Sequence, residues 1–365
     1  MKIALLSAFY EPYMSGAEQM VKEIAERLGK EHEIHLITGR FDKSLAKAEE
    51  RANFKLVRLG IGHKQIDKLL YPFLAAWETK KIKADIAHAI MESYAGGALI
   101  VFKFIAPNIP RLLTLQSGNL EDDVKQSKFL VKIFYRMIHE APDRITAISH
   151  YLAKRLERLN IDKGEISITP NGIDFSEVPD GIEPIKNRVV FLGRLSYEKG
   201  LDHLLNAWPA VRQAVPDAQL FLVGPDGDAA DKVKNLAKEL NLADSVTFTG
   251  GMPHGEALKE IKKSEIFICP SLAEGLGNVF IEAQACGVPP IGTRVGGIPD
   301  IIDNEKTGLL IEPKSPDAIS AAIIRLLNDR ALYAAIKSNV VASARRFEWD
   351  AIIKKIDGIY QSFLK

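Results

Sequence analysis

The sequence predicts an α/β fold made of two doubly wound, parallel-sheet domains in tandem. Three observations carry this expectation. Short apolar runs alternate with longer helical periods along the chain, as in a parallel sheet with helices on both faces. The alternation breaks over a polar stretch from Gly172 to Asn187 and then restarts. The 365 residues also exceed the roughly 100–200 expected of one domain.

In the first half, strands are expected at Lys2–Ser7, Glu33–Thr38, Lys55–Leu59, Ile86–Ala89, Arg111–Leu115, Arg144–Ile148 and Ile166–Thr169. An amphipathic helix from Ala17 to Leu28 follows the first strand, with Val21, Ile24, Ala25 and Leu28 at helical spacing. In the second half, strands are expected at Arg188–Leu192, Gln219–Val223, Ser245–Thr249, Ile266–Cys269, Pro290–Gly292 and Gly308–Ile311. Lys232–Leu240 is the clearest helix between them. The run from Trp349 to Leu364 places Ile352, Ile353, Ile356, Ile359, Tyr360 and Phe363 on one helical face. The expected division is a first domain over 1–172, a linker over 173–187, a second domain over 188–345 and a terminal helix over 346–365. A cleft between two such domains is the default ligand site.

Composition narrows the function. Lys+Arg number 48 against 47 Asp+Glu, a formal charge of +1. That balance excludes a nucleic-acid binder driven by bulk charge and an acidic disordered tail. Two cysteines, Cys269 and Cys286, exclude a disulfide scaffold and a multi-cysteine metal site. Both read as small hydrophobes, and a reducing, cytoplasmic setting is expected. No apolar run approaches the ~20 residues that span a bilayer. The apolar opening, Lys2 to Tyr10, is too short for a signal peptide and runs into Glu11-Pro12.

Three segments advertise chemistry. Tyr13-Met14-Ser15-Gly16-Ala17-Glu18 follows the first strand and opens the first helix, where free N–H groups favour an anion. It is not a G-x-G-x-x-G fingerprint, so a nicotinamide enzyme gains no support. Gly193-Arg194 and Lys199-Gly200 put two cations in a turn between a strand and a helix. Arg offers a fork and Lys a point charge, a natural clamp for a diphosphate. Glu274-Gly275-Leu276-Gly277-Asn278-Val279 leads into a helix carrying Glu282. Its glycines present backbone N–H groups, and two carboxylates eight residues apart suit a ligand bearing hydroxyls, such as a sugar or a ribose.

Together these segments resemble the retaining glycosyltransferases of family 4. Further matching stretches are Ser149, Pro170-Asn171-Gly172-Ile173-Asp174, Ala285-Cys286-Gly287-Val288-Pro289, Val295-Gly296-Gly297-Ile298-Pro299-Asp300 and Gly308-Leu309. The likeness covers nearly the whole chain and is tightest from about Asn171 to Pro313. It implies a GT-B fold, two Rossmann-like domains facing across a cleft, with the terminal helix crossing back to the first. It implies that Arg194 and Lys199 hold the donor diphosphate and stabilise it as it leaves. Glu274 would bind the hexose, Glu282 the ribose, and the amides of Gly275, Leu276, Gly277, Asn278 and Val279 would cradle sugar and phosphate. Gly16 would approach the diphosphate, and Gly250, Gly251 and Met252 would meet the base.

The chain departs from the family pattern at two places. Ser15 stands where a glycine is common, and Gln116 stands where many relatives carry a histidine. Glutamine cannot act as a general base, so Gln116 is assigned to sugar positioning. His88 is a second residue expected near the sugar, although a lone histidine after a strand is also an ordinary core residue.

The implied reaction is metal-independent transfer of a hexosyl group from a UDP-, GDP- or ADP-activated sugar to a hydroxyl, with no cofactor. Asp226-Gly227-Asp228 has the spacing of metal-dependent sugar-transfer enzymes, but the two cations already supply the charge. A nucleotide-sugar epimerase and a non-catalytic nucleotide-sugar-binding protein are the competing readings.

The acceptor side is marked only by charge. Arg51 to Arg111 carries ten basic against four acidic residues, and Val124 to Lys163 nine against four. Phe129 to Ile138 mixes bulky apolar and basic residues, which fits either a core-packing helix with a solvated basic edge or a peripheral contact with anionic membrane presenting a lipid-linked acceptor.

Overall fold

The computed structural model describes residues 1–118 and 129–363. The start of the basic stretch at Val124 and the end of the terminal run at Leu364 lie outside the described residues. The chain divides into two compact units, residues 1–171 with the chain from Trp349 onward, and residues 172–348. The stretch read as a linker groups with the second unit, and its end from Ile185 is already strand.

In the first unit the strands are β1 (Lys2–Leu6), β2 (Glu33–Gly39), β3 (Ala48–Glu50), β4 (Phe54–Leu59), β5 (Ile86–Ile90), β6 (Arg111–Leu115), β7 (Arg144–Ala147) and β8 (Ser167–Ile168). They form one sheet in the order β3-β4-β2-β1-β5-β6-β7-β8. Every pairing is parallel except that of β3 with β4. Ile3 on β1 lies in register with Ile34 on β2 and Ile86 on β5. The winding reverses between β1 and β5, so their carboxyl ends form the switch point where ligands bind such sheets.

Helices α1 (Gly16–Leu28), α2 (Lys64–Lys81), α3 (Tyr94–Ile105), α4 (Phe129–Glu140) and α5 (His150–Arg158) connect these strands. The apolar stripe of α1 is buried at Val21, Ile24, Ala25 and Leu28, as its periodicity predicts. In the first turn of α2, the fully buried Asp67 accepts backbone N–H bonds from Ile61, Gly62 and His63 of the preceding loop at 2.7–2.8 Å. One carboxylate thus fixes the whole turn.

The second unit carries β9 (Ile185–Leu192), β10 (Gln219–Val223), β11 (Val246–Gly250), β12 (Ser264–Cys269), β13 (Pro290–Thr293) and β14 (Leu309–Ile311). The sheet order is β11-β10-β9-β12-β13-β14, parallel throughout. Its switch point falls between β9 and β12. Helices α6 (Leu201–Ala214), α7 (Ala230–Glu239), α8 (His254–Lys262), α9 (Asn278–Ala285), α10 (Ile298–Ile301), α11 (Pro316–Asn328) and α12 (Arg330–Ala344) complete it. Phe191, Trp208, Phe267 and Phe280 are fully buried. Each such side chain stabilises the unit by roughly 1.5–3 kcal/mol.

The terminal helix α13 (Trp349–Gln361) belongs to the first unit. Asp357 meets His32 Nε2 at 2.7 Å, and Asp350 pairs with Arg27 of α1. Tyr360 Oη lies 2.6 Å from His88 Nδ1.

Candidate active site

Gly193 follows β9 and Pro270 follows β12, so both loops rise from the switch point of the second sheet. They are tied together by the backbone bond Leu272 N to Glu198 O at 2.7 Å. Gly200 adopts the left-handed conformation (φ +64°), and a Cβ there would meet the Pro270 carbonyl oxygen at 2.3 Å. Only glycine lets the turn settle this close. Gly296 plays the same part behind Glu274, where a Cβ would meet its carbonyl oxygen at 1.8 Å.

This packing brings Lys199 to Glu274. Lys199 Nζ lies 2.6 Å from Glu274 Oε1, both side chains largely buried. Burial pulls against the ammonium, but the Glu274 carboxylate overrides it, with Cys269 and Glu198 adding. The Lys199 pKa is held above the ordinary lysine value. Ser271 Oγ donates to the same Glu274 oxygen at 2.9 Å. Ser271 is itself fully buried, with Cys269 Sγ at 3.1 Å, and its carbonyl accepts from Thr293 Oγ1. Ser271 is therefore the residue that orients Glu274, and the motif reading passed over it. Its signal was the three-residue spacing to Glu274 at the end of an apolar strand.

Arg194 is exposed, and its guanidinium has no ion pair or hydrogen bond among the described residues. With Ser196, Tyr197, Glu198, Gly227 and Asp228 it lines a cavity of about 550 Å³. The buried Ser196 hydroxyl, on that same wall, lacks a hydrogen-bond partner among the described residues. Asp226 pairs with Lys234 at 2.7 Å, and Asp228 accepts the Tyr197 backbone N–H at 3.0 Å. The Asp-x-Asp carboxylates thus serve separate local partners.

Gly277 is the N-cap of α9, so Asn278 and Val279 open that helix with Gly275 and Leu276 just before it. Glu282 lies on the next turn, half-buried, and meets His254 Nε2 at 3.3 Å. His254 Nδ1 faces Glu177 at 3.5 Å. Gly250, Gly251 and Met252 run from the end of β11 to this histidine, with both glycines exposed. His254 thereby joins the loop expected to meet the base to the glutamate expected to meet the ribose. Burial pushes the thiol of Cys269 up to about 11 and that of Cys286 up to about 12, which suits neither to nucleophilic work.

In the first unit, Gly16 opens α1, and the Ser15 hydroxyl donates to the carboxylate of Glu18. Gln116 follows β6 and is buried. Its amide donates to Asn171 Oδ1 at 3.1 Å and contacts Met20 Sδ at 2.9 Å. The backbone N–H groups of Gln116 and Ser117 both donate to Glu92 Oε2, at 3.0 and 3.2 Å. Glu92 forms a fully buried ion pair with Arg155, which also donates to the Ser117 carbonyl. This ion pair sets the loop that carries Gln116, and no linear motif marks it.

His88 has no surface open to a ligand. It is fully buried, with Nδ1 on Tyr360 and Nε2 on Thr114 Oγ1 at 2.7 Å. Burial lowers its pKa to about 3. The expectation of a sugar-positioning role is corrected: His88 is a neutral core residue pinning α13 to β5 and β6.

The whole chain superposes on sucrose-phosphate synthase from Thermosynechococcus elongatus, with a TM-score of 0.84 at 24% identity, covering 100% of this chain and 99% of that one. Anabaena HepE, solved with UDP-glucose, gives 0.79 at 19% identity over 99% of this chain and 100% of its own. The architecture is GT-B, the fold of these structures.

Residues 174–342 match the family described as glycosyl transferases group 1, and residues 14–177 that described as glycosyltransferase family 4. The chain belongs to this glycosyltransferase family. An uncharacterized glycosyltransferase of Methanocaldococcus jannaschii is 26% identical over 99% of this chain and 98% of its own. A GDP-mannose-dependent alpha-(1-6)-phosphatidylinositol monomannoside mannosyltransferase of Mycobacterium tuberculosis is 33% identical over 60% of this chain and 62% of its own length.

Proposed function

We propose that the enzyme transfers a hexosyl group from a nucleoside-diphosphate hexose to an acceptor hydroxyl, retaining the anomeric configuration and using no metal. The Lys199–Glu274 contact carries this reading, because it sets a fixed cation against a carboxylate at a sheet switch point. As the donor's C1–O bond breaks, negative charge gathers on the leaving diphosphate. Arg194, Lys199 and the amides from Gly275 to Val279 supply preorganised positive potential for that charge. They take the part a divalent ion plays elsewhere. Glu274 accepts hydrogen bonds from the hexose and Glu282 from the ribose, while Gly250 to Met252 border the base. The amides that open α1 at Gly16 are the first unit's anion-compatible surface.

No side chain is assigned as a covalent nucleophile. The acceptor oxygen attacks C1 on the face the diphosphate leaves, and its proton passes to a diphosphate oxygen. Gln116, its amide turned to Asn171, carries no proton in this scheme.

A thermal-shift screen with UDP, GDP and ADP tests the reading. GDP comes first, given the mannosyltransferase relative. The matching nucleotide stabilises the fold by about 2.7 kcal/mol at a hundred times its Kd. Incubation with the corresponding sugar nucleotide and an acceptor in EDTA is expected to release the diphosphate and a glycoside of unchanged anomeric configuration. No shift with any nucleotide, or recovery of an epimerised free sugar nucleotide, overturns the proposal.

A further inference from the structure

One cavity of the first unit holds none of the residues assigned to the donor above. It is a groove of about 730 Å³ whose lining includes residues of α2, α3 and α4, within the ~300–1,000 Å³ typical of small-molecule sites. Its walls are apolar, formed by Pro72, Phe73, Val101, Phe104, Val131 and Phe134. Glu92, Ser93 and Tyr94, at the carboxyl end of β5, line it too, together with Lys68.

Large apolar side chains of the same three helices stand in water. Leu69 is 71% exposed, Phe73 61%, Trp77 65%, Phe104 77% and Leu130 76%. An apolar face of this extent marks an interaction surface. The same helices carry exposed Lys80 and Lys81 on α2, Lys103 on α3, and Lys132 and Arg136 on α4, against Glu78 and Glu140. Leu, Phe and Trp interleaved with lysine is the composition of helices that lie in a membrane interface, their cations reaching the headgroups.

We propose that this groove takes the hydrocarbon chain of a lipid-anchored acceptor, with the surrounding face seated on an anionic bilayer. The term acceptor rests on the glycosyltransferase reading; lipid binding stands apart from it. The apolar walls accept a chain, and Lys68, with Ser93 and Tyr94, offers a cation and polar groups to an anionic headgroup. The net positive rim favours an anionic bilayer over a neutral one.

The full chain is tested without nucleotide, against vesicles of phosphatidylcholine alone and of phosphatidylcholine with phosphatidylglycerol. Sedimentation with the anionic vesicles at low salt is expected, weakening as salt rises. Trp208 and Trp349 are buried, so a blue shift of tryptophan emission reports Trp77. The surface variant Leu69→Asp/Phe73→Asp lowers vesicle binding by about tenfold or more. Dodecyl phosphate raises the melting temperature of the wild type, and Val101→Trp, which narrows the groove, abolishes that rise while vesicle binding persists. Both variants keep the wild-type thermal response to nucleoside diphosphate, which separates failure here from failure of the transfer proposal. Wild-type protein left in the supernatant with both vesicles overturns the inference, as does a dodecyl phosphate response unchanged in Val101→Trp. A dimer in sedimentation velocity, lost in the surface variant and unaccompanied by vesicle binding, assigns the face to a second copy instead.

Discussion

Lys199 Nζ and Glu274 Oε1 lie 2.6 Å apart across a sequence separation of 75 residues. The contact joins the turn after β9 to the loop after β12, and Arg194 in that same turn has no carboxylate partner among the described residues. A ligand diphosphate would meet one cation already held in place and another at liberty to close on it.

Glu274→Gln keeps a hydrogen-bond acceptor for Ser271 but removes the charge facing Lys199. Its kcat is expected to fall about 10²- to 10³-fold, with nucleotide affinity close to wild type. Lys199→Ala is expected to lower both. Steady-state kinetics paired with nucleotide titration measures this split, and parallel losses in the two variants would refute the division of roles.

Glu282→Ala is expected to weaken nucleoside-diphosphate binding by about 1.5–3 kcal/mol, the worth of hydrogen bonds to a charged group. His254→Ala, which frees Glu282 to turn, should show a smaller loss in the same titration. Unchanged affinity in Glu282→Ala would remove the ribose from that carboxylate.

Arg155→Met leaves Glu92 buried without its counter-charge and is expected to cost about 3–5 kcal/mol in urea unfolding. Adding Glu92→Met should recover part of this and no more, since the amides of Gln116 and Ser117 then lose their acceptor. Full recovery in the double variant would show that those two amide bonds contribute nothing to stability.

His88 is held neutral, its pKa lowered from 6.5 to about 3 by burial. The unfolded chain binds a proton there below 6.5 and the folded chain does not. Its contribution is therefore present above pH 6.5 and lost as pH falls toward 3. The stability advantage of the wild type over His88→Phe should shrink by up to about 1.4 kcal/mol per pH unit across that window. Unfolding midpoints measured at a series of pH values would expose a constant difference, which would rule the effect out.

Much of the scaffold was legible because apolar runs bounded by turn residues have few alternatives. Arg111–Leu115 and Gln219–Val223 appear as expected, residue for residue. The strand β3 escaped notice because Ala48-Glu49-Glu50 has no apolar alternation. It is held at the sheet edge by antiparallel pairing with β4 and by the Arg58–Glu49 ion pair, and charge on an edge strand deters further pairing. The site divides along the same line. Contiguous signals such as Gly193-Arg194 and Gly275 to Val279 could be read directly. Glu92 with Arg155, and His88 with Tyr360, are 63 and 272 residues apart, and nothing local in the chain announces that they meet.

Helix α13 is encoded downstream of the entire second unit yet packs its Trp349, Ile352, Ile356 and Tyr360 into the first. During synthesis the first unit must wait, with part of its interior uncovered, until the ribosome has read through all of the second. The last unit to begin folding is thus free to finish first. A premature stop just after α12 would leave the second unit nearly whole and strip the first of the helix that covers it.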